Sequence, residues 1–450
     1  MPTEATLHGR LPLETWDNVV DHLWNDRRAL TACSLTCHAL LPASRYHAFY
    51  YVCLHDAARY HSFVALLSEN NYVQRYVRAL AVHGYGWTDS EHQMFPSNGQ
   101  WLDLLPKLDR LWHLWLRQFT FYIPPELRGT TGSLVRGIRA LDLTLMASEA
   151  DDLASLIRAC GALSTLIYRS PASPCDMSAL ASPTHDVRDC TIGTLIWQPE
   201  TTPTGQRSSL AALTEWLERG KQPLRRLAVT RIHAKSSPLV VVQKVLDASG
   251  DSLEHLFLEF ADLIDDHSTP PLIDLRNNTR LKTLHLAVQS PNLLDITHML
   301  SIPSSRDALG HLTSLNFRIV THKDSMDQLA SDWVRFCIGL NDLCLTHPLL
   351  NCTLGIDLRN LWRHAIPSAS LPELSQSITG LQTQLVCSLM LSLPRLSRVG
   401  GPGRLRFGVV WMWAGGDAFF QKAPNGRWYP PEYFLGDPEW YYKAQAPWEF

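Results

Sequence analysis

Leu253-Glu254-His255-Leu256-Phe257-Leu258 is the stretch on which the fold turns. Its Leu256-x-Leu258 alternation is that of a strand whose successive side chains point to opposite faces. Just upstream, Val242, Val245, Leu246 and Ser249 recur at helical steps, and Gly250 stands where such a helix would stop. The order is helix, glycine, short strand.

Outward from this unit the same Leu-x-x-Leu-x-Leu frame recurs with apolar substitutions. It is Val77-Leu80-Val82, Leu111-Leu114-Leu116, Ile138-Leu141-Leu143, Leu163-Leu166-Tyr168, Ile192-Leu195-Trp197 and Leu224-Leu227-Val229 on one side. On the other it is Leu281-Leu284-Leu286, Leu312-Leu315-Phe317 and Leu340-Leu343-Leu345. Intervals of 25 to 34 residues separate the units. Helical faces fill several gaps: Leu153, Leu156, Ile157 and Cys160 before Gly161; Leu210, Leu213, Trp216 and Leu217 before Gly220; Leu329, Trp333, Phe336 and Cys337 before Gly339.

A unit with one apolar helix face and one apolar strand face buries both only by stacking on its neighbours. The expectation is therefore an α/β chain whose residues 77–399 form an irregular solenoid similar to the leucine-rich repeats, with parallel strands on the concave face and helices on the convex face. The Asn or Cys usual after each strand of that family is replaced by Thr230-Arg231-Ile232 and Glu259-Phe260-Ala261, and 84–101 and 170–189 read as long loops. A doubly wound α/β domain is the alternative, although no Gly-x-Gly-x-x-Gly or Gly-x-x-x-x-Gly-Lys follows a strand. An all-helical solenoid conflicts with the recurring Leu-x-Leu.

Ahead of the repeats, Leu11-Pro12-Leu13-Glu14 places a proline in a first helical turn, and Leu13, Trp16, Val19, Val20 and Leu23 follow at helical spacing. Asn25-Asp26 is the next capping signal, with Leu30, Cys33, Cys37 and Leu40 periodic behind it and Pro42 interrupting before Tyr46, Phe49 and Tyr50. Residues 8–50 are thus a helical trio, too small to bury all of its own apolar surface. Residues 51–76, with Val52, Phe63, Val64, Leu67 and Val73, read as linker helices.

The order Leu-Pro-x-Glu, Val19-Val20, Leu23, then Leu30-x-x-Cys33-Ser34-Leu35-x-x-His38 resembles the F-box, particularly the F-boxes of the large fungal families. Where that family usually has Trp near the end of the second run, this chain has Leu40. The resemblance implies docking onto a Skp-type adaptor, and through it a cullin scaffold, by Leu11, Pro12, Leu13, Val19, Val20, Leu23, Leu30, Leu35 and Leu40. The remainder of the chain would then select a protein substrate for ubiquitylation. The competing readings are a plain helical cap on an interaction scaffold and a hydrolase on an α/β sheet.

Strand alternation nominates the substrate surface. If Leu256 and Leu258 point into the core, His255, Phe257 and Glu259 point out, and the same logic exposes Trp115, Arg117, Asp142, Arg169, Gln198, His285, Asn316 and Arg318. Trp and Arg are types enriched at interface hot spots. Residues 400–450 are rich in Trp and Tyr and read as a cap or tail over the last repeat.

Composition narrows the rest. A net charge of −3 carries no footprint for nucleic acid, and 45% hydrophobic with 18% charged residues is the balance of a globular chain. No run reaches eighteen apolar residues and the N-terminus lacks a signal-peptide pattern, so no membrane partner and a cytoplasmic or nuclear location are expected. Ten scattered cysteines read as reduced thiols. Cys33, Cys37 and His38 lack a fourth ligand, so no metal and no cofactor are expected. Asp151-Asp152 and Asp265-Asp266 suit a helix first turn and a solvated loop better than catalytic carboxylates, and no nucleophile motif occurs, so the chain itself is expected to be non-catalytic.

Overall fold

The structure is a computed structural model that describes residues 12–24, 26–83, 100–121, 134–148, 156–157, 159–169, 192–198, 224–233, 238–261, 273–289, 309–320, 336, 350–357, 405–410, 421–422 and 428–429. The chain forms two compact units, Met1–Thr191 and Ile192–Glu449. Among the described residues no helix is long and apolar enough to cross a membrane.

The first unit opens with α1 (Leu13–His22), α2 (Arg27–Thr36) and α3 (Leu41–Tyr50). Asp26 begins α2 by accepting a hydrogen bond from the Ala29 amide at 3.0 Å, and Pro42 sits in the first turn of α3, where its missing N–H costs nothing. Val20, Leu30 and Leu40 are buried against one another, with Trp16, Leu23, Cys33, Cys37 and Ala43 packed around them. The Asp21 carboxylate and His47 Nε2, 2.6 Å apart, tie α1 to α3. Cys37 and Leu40 do not continue α2 as their spacing suggests: Cys37 is extended and Leu40 precedes α3, yet both reach the same core.

The stretch read as linker helices starts instead with a strand. β1 (Tyr51–Leu54) leaves α3 directly, and α4 (Ala57–Glu69), capped by the Asp56 carboxylate on the Arg59 amide at 2.7 Å, returns the chain to β2 (Ala79–His83). β1 and β2 pair in parallel, which requires a crossover such as α4 between them. Four residues are too few to display a period, so the partner 28 positions later, Tyr51 to Ala79, is what makes this segment a strand.

β3 (His113–Phe121), β4 (Ala140–Ser148) and β5 (Thr165–Arg169) continue that sheet in chain order, all parallel. The leucines stand in register, Val52-Leu80-Leu114-Leu141-Leu166, and two residues on, Leu54-Val82-Leu116-Leu143-Tyr168. All ten are buried.

The second unit repeats the plan with β6 (Thr194–Gln198), β7 (Arg226–His233), β8 (His255–Ala261), β9 (Thr283–Gln289), β10 (Ser314–Val320), β11 (Asn351–Asp357) and β12 (Leu405–Val410). These seven strands are parallel and in sequence order. Leu195, Leu227, Leu256, Leu284 and Leu315 form one row and Trp197, Val229, Leu258, Leu286 and Phe317 the next. α5 (Pro238–Ser249) lies between β7 and β8 in the chain, and Gly250 ends it at a φ of 49°, in the left-handed region that favours glycine. Buried Asn278 donates to the Leu246 and Gly250 carbonyls, each at 2.9 Å, satisfying acceptors that a helix end leaves open. Of residues 400–450, expected as a cap or tail, β12 instead pairs in parallel with β11, and an antiparallel pair, β13 (Gln421–Lys422) and β14 (Trp428–Tyr429), follows it.

One repeat position needs correction. The neighbour of β10 is Asn351–Asp357, not the strand expected at 343–345, whose residues lie outside those described. Cys352, Leu354 and Ile356 alternate as regularly as Leu343 and Leu345 do, with Thr353 and Gly355 between them, so two adjacent segments carry the same period. The helical face at 210–217 and the loops at 84–99 and 170–189 also lie outside the described residues, and at 329–337 only Phe336 is described, buried with its ring 5.0 Å from that of Phe317.

Candidate functional site

The helical trio carries two kinds of apolar side chain. Of the nine residues expected to face an adaptor, Val20, Leu30 and Leu40 are instead the trio's own core and Leu23 packs against it. Val19 and Val20 cannot share a partner, since neighbours on a helix diverge by about 100°. Leu13, Val19 and Leu35 are exposed at 47%, 45% and 81%, and Pro12 is exposed as well, while Leu11 lies outside the described residues. Leu35 projects from the side of α2 roughly opposite Leu30, as five residues of helix dictate. Trp24, 46% exposed just after α1, joins this set and was missed, because it falls off the heptad-like spacing of the helix before it.

The positions between the leucine rows form the other candidate surface. In the first unit they read Cys53, Ala81, Trp115, Asp142 and Ile167 across five strands, followed two residues later by His83, Arg117, Thr144 and Arg169. Asp142 is fully buried rather than exposed, and two guanidinium groups explain why. Arg169 Nη1 donates to both of its carboxylate oxygens, at 2.6 and 2.8 Å, and Arg117 Nη2 stands 3.5 Å from the second. Arg117 also lies over the Trp115 ring at 5.1 Å, and the Tyr51 ring is 4.7 Å from the other aromatic. Two guanidinium groups thus converge on one buried carboxylate.

The electrostatics follow from burial. Tyr51, half-buried beside the Cys53 thiol, has its phenol pushed well above the usual range, by desolvation first and by that thiol second. His83 is held below its ordinary value by burial first and by the Arg117 charge second. His113 is fully buried, and the Trp115 indole N–H donates to its Nε2, so that nitrogen must be an unprotonated acceptor. Desolvation, with Arg117 adding repulsion, brings His113 down to about 3.

In the second unit the corresponding row is Ile196, Ala228, Phe257, His285, Asn316 and Thr353. Phe257 is buried, not exposed, and its ring lies 6.4 Å from that of His285. Asn316 Nδ2 is 3.1 Å from His285 Nε2, and burial brings His285 down to about 4. Gln198 and Glu259 are half-buried on β6 and β8, and the backbone of Arg318 pairs with Ala287 and Gly355. The eleven side chains expected on the outward face, half-buried His255 among them, therefore divide between the two units. Alternation assigns each side chain a face, but whether that face is covered depends on neighbouring strands, which is why Asp142 and Phe257 were misjudged.

Tyr51, His83 and His113 are the site residues that sequence reasoning missed. The unrecognised β1 hid Tyr51, and His113 precedes Leu114 at a position where only the Arg78 carbonyl, bonded to the His113 amide at 3.1 Å, reveals the strand's start. Among the described residues no group of three or more His, Cys, Asp or Glu side chains converges as a metal site, and Cys33, Cys37, Cys53 and Cys160 are not in disulfides. No protein-family model matches the chain, and no curated protein matches it.

Proposed function

We propose that the chain is the substrate-recognition subunit of a Skp-cullin-F-box type ubiquitin ligase, with α1–α3 as an F-box that docks a Skp-type adaptor and the strand repeats as an irregular leucine-rich solenoid that holds a protein substrate. The chain would be non-catalytic, the chemistry belonging to its ligase partners, and it would act in the cytoplasm or nucleus. The observation that carries this reading is the apolar exposure of Leu13, Val19, Trp24 and Leu35 on helices that already own a separate core of Val20, Leu30 and Leu40. Side chains outside that core stabilise the trio little, whereas covering each by a partner would contribute about 1.5–3 kcal/mol.

A second reading, an interaction scaffold without a ligase, draws on the direct passage of α3 into β1 and on Arg27 Nη2 reaching the Tyr51 carbonyl at 3.5 Å, contacts by which the trio caps the first strand. Copurification decides between them. The wild-type chain should capture a Skp-type adaptor, and Val19→Asp with Leu35→Asp should reduce capture at least about tenfold at unchanged thermal stability. A wild-type chain that captures no adaptor leaves only the scaffold.

A further inference from the structure

We infer that the rim formed by the segments leading into β2, β3 and β4 is a docking surface for an acidic stretch of a partner protein. Those segments are laid side by side by backbone bonds one step outside the sheet: the Trp112 amide donates to the Arg78 carbonyl at 3.0 Å, Arg139 to Trp112 at 2.7 Å and Ser164 to Arg139 at 2.8 Å. Neighbouring strands are about 4.8 Å apart, so side chains borne on adjacent segments stand within reach of one extended ligand.

The rim is cationic. Arg75 and Arg78 precede β2, Lys107 and Arg110 precede β3, and Arg136 and Arg139 precede β4. All except half-buried Arg78 are exposed, and among the described residues of these segments the carboxylates are Asp103 and Asp109. Among the described residues none of these six cations makes an ion pair; Arg78 Nη1 spends a bond on the Arg75 carbonyl at 2.9 Å instead.

The second unit supplies an internal comparison, because the equivalent segments before β8 and β9 bear opposite charges that satisfy each other. Lys282 Nζ lies 2.6 Å from Glu254, whose carboxyl is held below its usual range chiefly by that hydrogen bond, and Arg276 Nε lies 2.7 Å from Asp274. In the second unit such pairs engage two of the cations at this position, leaving Arg225 and Arg280 exposed, whereas in the first unit all six cations are without an ion pair among the described residues. A run of like charges without counter-ions repels itself at short range, and an acidic segment relieves that repulsion.

A protein rather than a nucleic acid fits the rim. Base recognition on single strands calls for open aromatic platforms, whereas on these segments Trp101 is buried, Tyr76 and Trp112 are half-buried, and the exposed Tyr72 ring already carries the Arg45 guanidinium over it at 4.7 Å. The full chain, moreover, carries a net charge of −3. This inference goes beyond adaptor docking and stands whether or not the ligase reading holds.

Fluorescence anisotropy of a labelled oligoglutamate peptide with the full-length protein tests it. Wild type should bind with an affinity that falls as salt rises, and Arg110→Glu, Arg136→Glu and Arg139→Glu together should weaken binding about tenfold or more, with the corresponding Gln substitutions giving a smaller loss. Arg225→Glu with Arg280→Glu, which reverses exposed charges at the second unit's rim, should leave binding unchanged. The inference is overturned if the peptide fails to bind, if rim reversal has no effect, or if single-stranded RNA or phosphatidylserine vesicles bind the rim and the peptide does not.

Discussion

Acidification should unfold the first unit through one imidazole. His113 is fully buried, its Nε2 accepts from the Trp115 indole, and among the described residues its Nδ1 has no hydrogen-bond partner. Protonation would bury a charge beside Arg117 and break the indole bond at once, which is why the folded chain holds this group at about 3 against an ordinary value near 6.5. Between those values the unfolded chain binds the proton and the folded chain does not. Stability conferred by the neutral ring is therefore whole above pH 6.5 and drains away as pH falls toward 3. From pH 7 to pH 5 the linkage relation gives a loss of about 1.9 kcal/mol from this group, or roughly 25-fold in the opening equilibrium.

Hydrogen-exchange protection of β2–β4 at the two pH values, corrected for intrinsic exchange, reads that loss directly. His113→Gln keeps an acceptor for the indole but cannot titrate, so the variant should retain roughly 25-fold more of its own pH 7 protection at pH 5 than wild type retains. Other histidines, His83 among them, are common to both proteins and cancel. Parallel pH profiles for wild type and variant would refute the argument.

Asp142→Ala should cost about 3–5 kcal/mol in urea unfolding of the first unit, because it strands Arg117 and Arg169 without their buried counter-charge; adding Arg169→Met should recover most of that loss. Asn278→Ala removes the bonds to Leu246 in the last turn of α5 and to Gly250 just after it and should cost about 1–3 kcal/mol, seen as faster exchange confined to α5 and the turn at Gly250.

The strand repeats were legible in the chain itself. Leu-x-Leu alternation at Leu80, Leu114, Leu141, Leu166, Leu195, Leu227, Leu256, Leu284 and Leu315 anticipated nine strands, and the parallel order follows from the lengths between them, since neighbouring parallel strands need long crossovers. The same local logic read the caps: Asp26 before α2 and Gly250 after α5 act within a few residues of their own position. Segments whose identity depends on a distant partner were not legible. Tyr51–Leu54 is a strand because Ala79–Val82 pairs with it, and Asn351–Asp357 takes the place beside β10 over a rival with the same period.

The candidate site divides along the same line. Period two put Trp115, Asp142, Phe257, His285 and Asn316 on one face of their strands, as the registers have it. That Asp142 is sealed under two arginines, that Val20 turns inward while Val19 turns out, and that Trp24 is exposed depend on what packs against each residue. Periodicity is a property of one segment, read from its own backbone geometry. Burial and ion pairing are properties of pairs of segments, and only the tertiary structure brings those pairs together.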